Sequence, residues 1–207
     1  MNSQVASPLL AGRSKAAWVL FLAVVLVTLA ADLIVKWQAF QQVAGVPVLL
    51  SRDMDPHTVI PMHPTITIVP KLLSLKLVLN TGAVFGLGKG SQWLFVIVSL
   101  AAVGVIGRVF WKSPAGARAA QVALALILAG ALGNLYDRVR FNAVRDMFWL
   151  FPEVHLPFGW TWPGGRTDLY PWIFNVADVA LLAGVGIMLL VLWRSPRPSR
   201  EAQKAPG

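Results

Sequence analysis

Two aspartates stand beside apolar stretches, where a charged group is costly to keep. Asp146 ends the stretch GALGNLYDRVRFNAVRD, which starts at Gly130, and Asp178 ends the stretch FNVAD, which starts at Phe174. Ionisable groups at membrane depth are rare and by default mark a functional site. Two neighbouring aspartates cannot easily both ionise, so one can act as a base on water while the other, protonated, polarises a carbonyl group. Such a pair could hydrolyse a peptide bond in the manner of an aspartic protease.

The remaining composition leaves few other catalytic groups. The chain has no cysteine, which excludes disulfides, thiolate nucleophiles and cysteine-ligated metals. It has three histidines, and the spacing of His57 and His63 is not typical of metal ligands. No serine lies near a histidine in the sequence. We therefore expect carboxylate chemistry without a metal or other cofactor.

The composition predicts an integral membrane protein. Hydrophobic residues make up 57% of the 207 residues and charged residues only 13%, with a mean hydropathy of +0.65. A transmembrane helix needs about 20 mainly apolar residues. Four segments meet this requirement and predict an α-helical protein with four transmembrane helices, at about residues 16–35, 93–111, 119–136 and 176–193.

The charge distribution predicts the orientation of these spans. The formal net charge is +9, and the excess of basic residues lies in the two tails and in the loop between the second and third spans. By the positive-inside rule both termini are then cytoplasmic, and the charge does not indicate a nucleic-acid partner. Residues 16–194 are expected to form one membrane domain between disordered cytoplasmic tails at 1–15 and 195–207. The first span is longer than the apolar core of a signal peptide, and three spans follow it, so we expect it to be retained.

Two long segments are predicted to lie outside the membrane. In the region of about 38–90, alternating leucines indicate a strand at 73–80 and β-branched residues a second at 65–69, which together predict a small extracytoplasmic β-sheet. The strand leads into a turn rich in small residues, from Asn80 to Gly86, which could let a bound peptide approach the backbone closely. The second segment, about 137–175, is expected to be an interfacial loop that serves either as an aromatic belt or as a flap over the site. Its aromatic residues are Trp149, Trp160, Trp162, Tyr170 and Trp172.

Polar residues near the outer ends of the spans are candidates for supporting the aspartates. In the first span Asp32 and Lys36 are four residues apart and share a helix face, as an interfacial ion pair or as support for the site. In the third span three further polar residues follow steps of three and four, and Asp137 is expected to be a salt-bridged structural residue beside Arg138. These three residues are Asn134, Asp137 and Arg138.

The surroundings of the two aspartates predict different protonation states. Asn175 is a plausible N-cap of the fourth helix, and the positive end of the helix dipole favours an ionised Asp178. Asp146 precedes the apolar stretch Met147-Phe148-Trp149, which raises its pKa by desolvation. Asp178 is therefore expected to carry more of the charge and Asp146 more of the proton.

These residues resemble the bacterial lipoprotein signal peptidases, the signal peptidase II family. The resemblance covers most of the chain from Ala16 to Trp193, with the motifs in the family's order. The matching segments are Asp32 to Lys36, Asn80-Thr81-Gly82-Ala83-Val84-Phe85, Gly130 to Arg138, Val144-Arg145-Asp146 and Phe174-Asn175-Val176-Ala177-Asp178.

The resemblance implies an inner-membrane aspartyl endopeptidase. Its substrates would be diacylglyceryl-modified prolipoproteins, cut just before the lipidated cysteine at the extracytoplasmic face, by a protein in contact with membrane lipids and expected to be a monomer. Asp146 and Asp178 would form the catalytic dyad. The implied substrate-positioning and supporting residues are Asn80, Gly82, Asn134, Arg138, Asn175, Asp137, Asp32 and Lys36.

Several positions depart from the family pattern. Leu33 replaces a glutamine, Val84 an alanine and Arg145 a valine. Arg145 directly precedes Asp146, so it is expected to lower the pKa of that residue and reduce the asymmetry of the pair. The outer loops at 43–66 and 150–172 are longer than usual for the family.

Two other functions remain open from the residues. Asp137, Asp146 and Asp178 could form the proton relay of a small transporter, although such a relay would be spread towards both membrane faces. A non-catalytic scaffold that binds acylated proteins would keep the same fold without the chemistry.

Overall fold

The computed structural model describes residues 9–82 and 92–194. It has four long helices: α1 (Lys15–Gln42), α2 (Gln92–Lys112), α3 (Arg118–Phe141) and α4 (Val176–Arg194). It also has four strands: β1 (Ile66–Val69), β2 (Leu73–Asn80), β3 (Val144–Leu150) and β4 (Ile173–Phe174). All four helices are long and apolar enough to span a membrane, as the sequence predicted. The segment Ala83–Phe85 and the expected turn end at Gly86 lie outside the described residues.

Helix α1 extends seven residues beyond the predicted end of the first span. The predicted boundary at about residue 35 followed the loss of apolar character. Lys36, however, is completely buried and paired with Asp32 one turn earlier. The two charged side chains neutralise each other inside the protein, so they do not interrupt the helix. Helix α1 continues to Gln42.

Helix α3 is the central helix of the four. Half of its apolar span is buried inside the protein, against 17% for each of the other spans. Its close approach to α4 requires small residues: a side chain at Gly130 would meet the backbone oxygen of Ala177, and one at Gly184 would meet the backbone oxygen of Ala123. Gly104 and Gly107 of α2, by contrast, face open space. Small residues therefore set the α3–α4 contact.

Part of the N-terminal segment is ordered, which corrects the prediction of a disordered tail over residues 1–15. Residues Ala11–Arg13 form a short 3-10 helix. The backbone N–H of Ala11 donates to Ser113 O at 2.7 Å, and Leu10 and Pro114 form an antiparallel bridge. This segment therefore pairs with the loop between α2 and α3. Residues 1–8 and the predicted C-terminal tail at 195–207 lie outside the described residues.

The strands form one antiparallel sheet in the order β1-β2-β3-β4. The hairpin of β1 and β2 was predicted, whereas β3 and β4 were assigned to the interfacial loop. Opposite partners include Val78 with Asp146 and Asn80 with Val144. A register irregularity separates these pairs from those nearer the hairpin, between Leu75 and Val78. The sheet thus brings Asn80 and Asp146 to the same end.

A hydrophobic cluster fixes the sheet to the end of α1. Phe40 in the last turn of α1 and Val43 directly after the helix pack against Leu77 and Leu79 of β2 and Met147 of β3. All five side chains are buried. The alternating leucines of β2 therefore form the inner face of the sheet, which packs on the end of α1.

The loop between β3 and β4 has a ladder of its own. Leu156 N–H donates to Thr167 O and Leu169 N–H donates to Val154 O, both at 2.7 Å. At its far end the Phe158 side chain is 88% exposed and the Trp160 side chain 66% exposed. Whether these rings act as an interfacial belt or as a flap stays a prediction.

Candidate active site

Asn175 and Asp178 form a reciprocal capping arrangement at the start of α4. Asn175 Oδ1 accepts a hydrogen bond from the backbone N–H of Asp178 at 3.0 Å, and Asp178 Oδ2 accepts one from the backbone N–H of Asn175 at 3.1 Å. This is the geometry of a capping box, in which each side chain satisfies a free N–H group of the first helical turn. The predicted N-cap is confirmed, and Asp178 is held in a single orientation.

Asp146 lies in β3 and accepts two amide donors. Asn175 Nδ2 donates to Asp146 Oδ1 at 2.7 Å, and Asn80 Nδ2 donates to Asp146 Oδ2 at 3.2 Å. Asn80 is oriented in turn by Gly82, whose backbone N–H donates to Asn80 Oδ1 at 3.1 Å. Asn175 therefore contacts both aspartates, Asp146 through its side chain and Asp178 through its backbone.

Asn134 of α3 joins the aspartates to a buried cation. Its Nδ2 donates to Asp178 Oδ1 at 2.8 Å, while its Oδ1 accepts from Asn175 Nδ2 at 3.1 Å and from Lys36 Nζ at 3.0 Å. An amide has both donor and acceptor groups, so it can connect a carboxylate to an ammonium group. Asn134 thereby orients both Asp178 and Asn175.

Lys36 is the centre of a buried ion network. Its Nζ lies 2.8 Å from Asp32 Oδ2 and 3.1 Å from Asp137 Oδ2, in addition to its bond to Asn134. The three donors of the ammonium group thus have three oxygen partners. Asp32 also accepts the backbone N–H of Ala177 at 2.8 Å. The network therefore reaches the first turn of α4 from α1, next to Asp178.

Asp137 pairs with Arg145 rather than with its neighbour Arg138. Its carboxylate accepts the Nε and Nη2 groups of Arg145 at 3.0 and 2.8 Å, and its second oxygen accepts the backbone N–H of Arg145 at 3.0 Å. The prediction that Asp137 is a salt-bridged structural residue agrees with this geometry, but the partner was not predicted. The Arg145 guanidinium also lies 4.8 Å from the centre of the Phe141 ring.

The expected effect of Arg145 on Asp146 is not found. Successive side chains of a strand point to opposite faces, so Arg145 and Asp146 of β3 face apart. The guanidinium is engaged with Asp137, while Asp146 faces the asparagines. Arg145 therefore serves the ion network instead of neutralising Asp146.

Arg138 lies at the edge of the site. It is half-buried, its guanidinium lies 4.9 Å from the centre of the Phe95 ring, and its Nη1 donates to Asn134 O at 3.4 Å. It forms no ion pair shorter than 4.0 Å with the carboxylates of the described residues. Arg138 therefore contacts the site through the backbone oxygen of Asn134.

The surroundings of Asp146 favour its protonated form. Burial, and after it the nearby carboxylate of Asp178, raise the pKa of Asp146 to about 8, although the hydrogen bonds from Asn175 and Asn80 act in the opposite direction. At neutral pH one proton is therefore held at Asp146, as desolvation by its apolar neighbours predicted. Two carboxyl groups in different environments, one with a proton, suit acid–base catalysis.

No cluster of three His, Asp or Glu side chains suited to a metal ion occurs within residues 9–82 and 92–194. The polar groups around the aspartates are amides and cations, which stabilise carboxylates directly. All residues of the site described above were predicted from the sequence except Arg145, which was noted only as a departure from the family pattern. Its signal could have been the short apolar run at 147–150, which is consistent with a buried strand and hence with opposite side-chain directions for Arg145 and Asp146.

Comparisons with known proteins identify the family of this chain. The family model described as signal peptidase (SPase) II matches residues 24–194. The lipoprotein signal peptidase of Latilactobacillus sakei is 41% identical over 119 residues, which cover 58% of this chain and 68% of that relative. The lipoprotein signal peptidase of Desulfitobacterium hafniense is 31% identical over 139 residues, which cover 67% of this chain and 81% of that relative.

A solved structure shares the fold. This bacterial membrane enzyme, determined by the in meso method at 2.3 Å resolution, superposes with a TM-score of 0.62 and 22% sequence identity. The match covers 87% of this chain and 94% of the solved chain. From the match of the family model across residues 24–194, the chain belongs to the signal peptidase II family.

Proposed function

We propose that Asp146 and Asp178 are the catalytic dyad of this membrane peptidase. The observation that carries the proposal is the position of Asn175, which bonds Asp146 through its side chain and Asp178 through its backbone. The raised pKa of Asp146 supports it, because an aspartic protease needs one proton on the pair. Asn80, Asn134 and Asn175 act as positioning residues, since each binds a dyad carboxylate.

The geometry supports different roles for the two carboxyl groups of the dyad. Asp178 accepts two hydrogen bonds at the start of α4, from Asn134 Nδ2 and from the backbone N–H of Asn175. As a base it takes a proton from water, and the resulting hydroxide adds to the carbonyl carbon of the scissile peptide. Asp146 donates its proton to the carbonyl oxygen. When the C–N bond breaks, Asp178 returns a proton to the leaving amine and Asp146 recovers a proton from the diol. The protons belong to the pair as a whole.

The buried ion network holds in place the groups that orient the dyad. Lys36 and Arg145 balance the charges of Asp32 and Asp137, so the network is formally neutral. Its bonds end at Asn134 and at the backbone of Ala177, one residue before Asp178. We assign Asp32, Lys36 and Asp137 as structural support for the dyad, and Gly82 as the residue that orients Asn80.

The substrate class follows from family membership. A signal peptidase II acts on prolipoproteins, and we propose that this chain cuts diacylglyceryl-modified prolipoproteins just before the lipidated cysteine. The dyad lies where the spans α3 and α4 meet the sheet, so an apolar signal peptide could enter from the lipid while the mature part remains in water. We expect no cofactor and no nucleic-acid partner in this reaction.

We also propose the orientation and location of the enzyme. Basic residues concentrate in the tails and in the loop between α2 and α3, which supports cytoplasmic termini and an extracytoplasmic dyad. We propose the bacterial inner membrane as its location, where the enzyme contacts lipids and acts as a monomer. Residues 16–194 then form a single peptidase domain.

The substrate assignment is tested with purified protein in lipid. We expect cleavage of a diacylglyceryl-modified prolipoprotein immediately before its modified cysteine, as read by mass spectrometry, and no comparable cleavage of the unmodified form. The control is a substrate preparation validated on a lipoprotein signal peptidase of known activity. Absence of cleavage would favour a binding scaffold, and proton flux in vesicles without cleavage would favour a transporter.

A further inference from the structure

Strand β1 covers only the first part of the outer edge of β2. Ile66 is the first residue of β1 and lies opposite Leu75. In an antiparallel pair, residues 61–65 would continue alongside residues 76–80. This stretch contains Pro61 and Pro64, which have no N–H group for a ladder. The prolines therefore explain why β1 begins at Ile66 and leaves the second part of β2 without a strand on that side.

A groove opens beside this part of β2. It has a volume of about 440 Å³ and lies between the loop at 56–63 and β2. Four consecutive residues of β2 line it. Because successive side chains of a strand point to opposite faces, a cavity lined by consecutive residues lies along the edge of the strand and not on one face of the sheet. Among the described residues, no backbone hydrogen bond joins the 56–63 loop to this edge. We call this cavity the β2-edge groove; its lining residues are Pro56, His57, Ile60, Pro61, Met62, His63, Lys76, Leu77, Val78 and Leu79.

The groove leads to the dyad. It ends at Leu79, and the next residue, Asn80, donates to Asp146 at 3.2 Å. Its four β2 residues span about 13 Å at 3.3 Å per residue, which matches about four residues of an extended peptide. An unpaired strand edge is a template for such a peptide, because its free backbone groups can bond an added strand.

The polar lining of the groove is basic. Lys76 is exposed, forms no ion pair with a carboxylate of the described residues and rests 5.2 Å from the centre of the Trp149 ring. His57 and His63 contribute two imidazoles, and no Asp or Glu is among the described lining residues. Carboxylate side chains of a bound peptide would therefore meet Lys76 and the two imidazoles, while Asp55, beside the groove, accepts the backbone N–H of His57 at 2.9 Å.

We propose that the β2-edge groove binds the segment of the prolipoprotein that follows the modified cysteine, as an extended strand, and prefers acidic residues in it. This inference rests on the proposed function. The segment before the scissile bond is apolar and belongs in the lipid, so a groove that leads away from the spans takes the residues after it. The groove thus selects among prolipoproteins by the first few residues of the mature protein.

The test compares synthetic diacylglyceryl peptides that carry Asp or Lys at the second to fourth positions after the modified cysteine. We expect the acidic peptide to be cleaved with a kcat/KM about three-fold higher, mainly through KM. Lys76→Glu should reverse this preference. N-methylation of one backbone amide in the same segment should lower kcat/KM roughly five-fold, because it removes a donor to the strand edge.

The matched control is Lys71→Glu, which makes the same charge change at the exposed turn before β2. It should leave the preference for acidic peptide intact. Equal kcat/KM for the Asp and Lys peptides, or a preference that Lys76→Glu does not change, would overturn the proposal.

A binding measurement separates this proposal from the peptidase assignment. The dissociation constants of the same two peptides are measured for the unmodified and Lys76→Glu proteins in lipid nanodiscs. In one outcome neither peptide is cleaved, but the acidic peptide binds more tightly and Lys76→Glu reverses the order. This result would support the groove as a binding site and contradict the proposed peptidase function. If both are cleaved but bind equally, the groove assignment fails and the peptidase remains.

Discussion

Arg145 donates three hydrogen bonds to the carboxylate of Asp137, one from its backbone N–H and two from its guanidinium, at 2.8 to 3.0 Å. This contact ties the start of β3 to the last turns of α3. Because Asp146 is the next residue of β3, the contact also fixes the position of one dyad carboxylate. A residue that departs from the family's usual valine thus has a structural role in this chain.

Arg145→Met should destabilise the protein without removing a dyad residue. The substitution leaves the buried Asp137 with Lys36 as its only cation, and breaking a buried ion pair costs about 3 kcal/mol. The melting temperature in detergent should then fall by roughly 6–12 °C. Arg166→Met breaks an exposed pair with Asp168 and should leave the melting temperature unchanged. Equal melting temperatures for the two variants would contradict a supporting role for Arg145.

Lys36→Met should be more harmful than the loss of either carboxylate partner alone. It leaves Asp32 and Asp137 buried with one fewer cation between them, at a cost of about 3–5 kcal/mol. Adding Asp32→Asn should recover part of the loss, because one uncompensated charge is removed. The measurement is thermal unfolding of both variants in the same detergent. A double variant no more stable than Lys36→Met would show that charge balance is not the function of this network.

Stability should depend on pH through Asp146. Its pKa is raised from 3.8 to about 8 in the folded protein, so the folded chain binds more protons than the unfolded chain between these values. The stabilisation is therefore complete below about pH 4 and is lost as the pH rises through 8, by at most about 1.4 kcal/mol per pH unit. Asp146→Asn should lack this slope. Parallel unfolding curves for the two proteins from pH 5 to 9 would refute the assignment of the proton.

Gly133→Ala should disturb the site from a distance. A side chain at Gly133 would collide with Asp32 Oδ2 and approach Ala177. Asp32 would then lose its hydrogen bond from the backbone N–H of Ala177 in the first turn of α4. We expect a loss of about 2 kcal/mol in stability and a lower kcat. Gly107→Ala, in open space on α2, should be neutral or stabilising, because alanine favours a helix. Unchanged activity in Gly133→Ala would mean that Asp32 does not position Asp178.

The sequence predicts the spans and the dyad more readily than it predicts their connections. Hydropathy alone identifies four spans, and local spacing identifies the capping pair Asn175 and Asp178. Strand β3 was not predicted, because Arg145 and Asp146 interrupt its apolar pattern. Both side chains find their partners in other elements: Asp137 of α3 for Arg145, and Asn80 of β2 and Asn175 before α4 for Asp146. Local patterns do not contain such tertiary partners, so the ion network could not be assigned from the sequence.

The central claim is that Asp146 and Asp178 together carry the cleavage. Its most direct test is the single-turnover cleavage rate of a diacylglyceryl-modified prolipoprotein by Asp146→Asn and Asp178→Asn, each shown to be folded by its melting temperature. The control is Glu153→Gln, which makes the same carboxylate-to-amide change at an exposed loop residue. We predict that each dyad variant loses at least about a thousand-fold in rate while Glu153→Gln retains full activity. Cleavage by either dyad variant at a rate near that of the control would contradict the account.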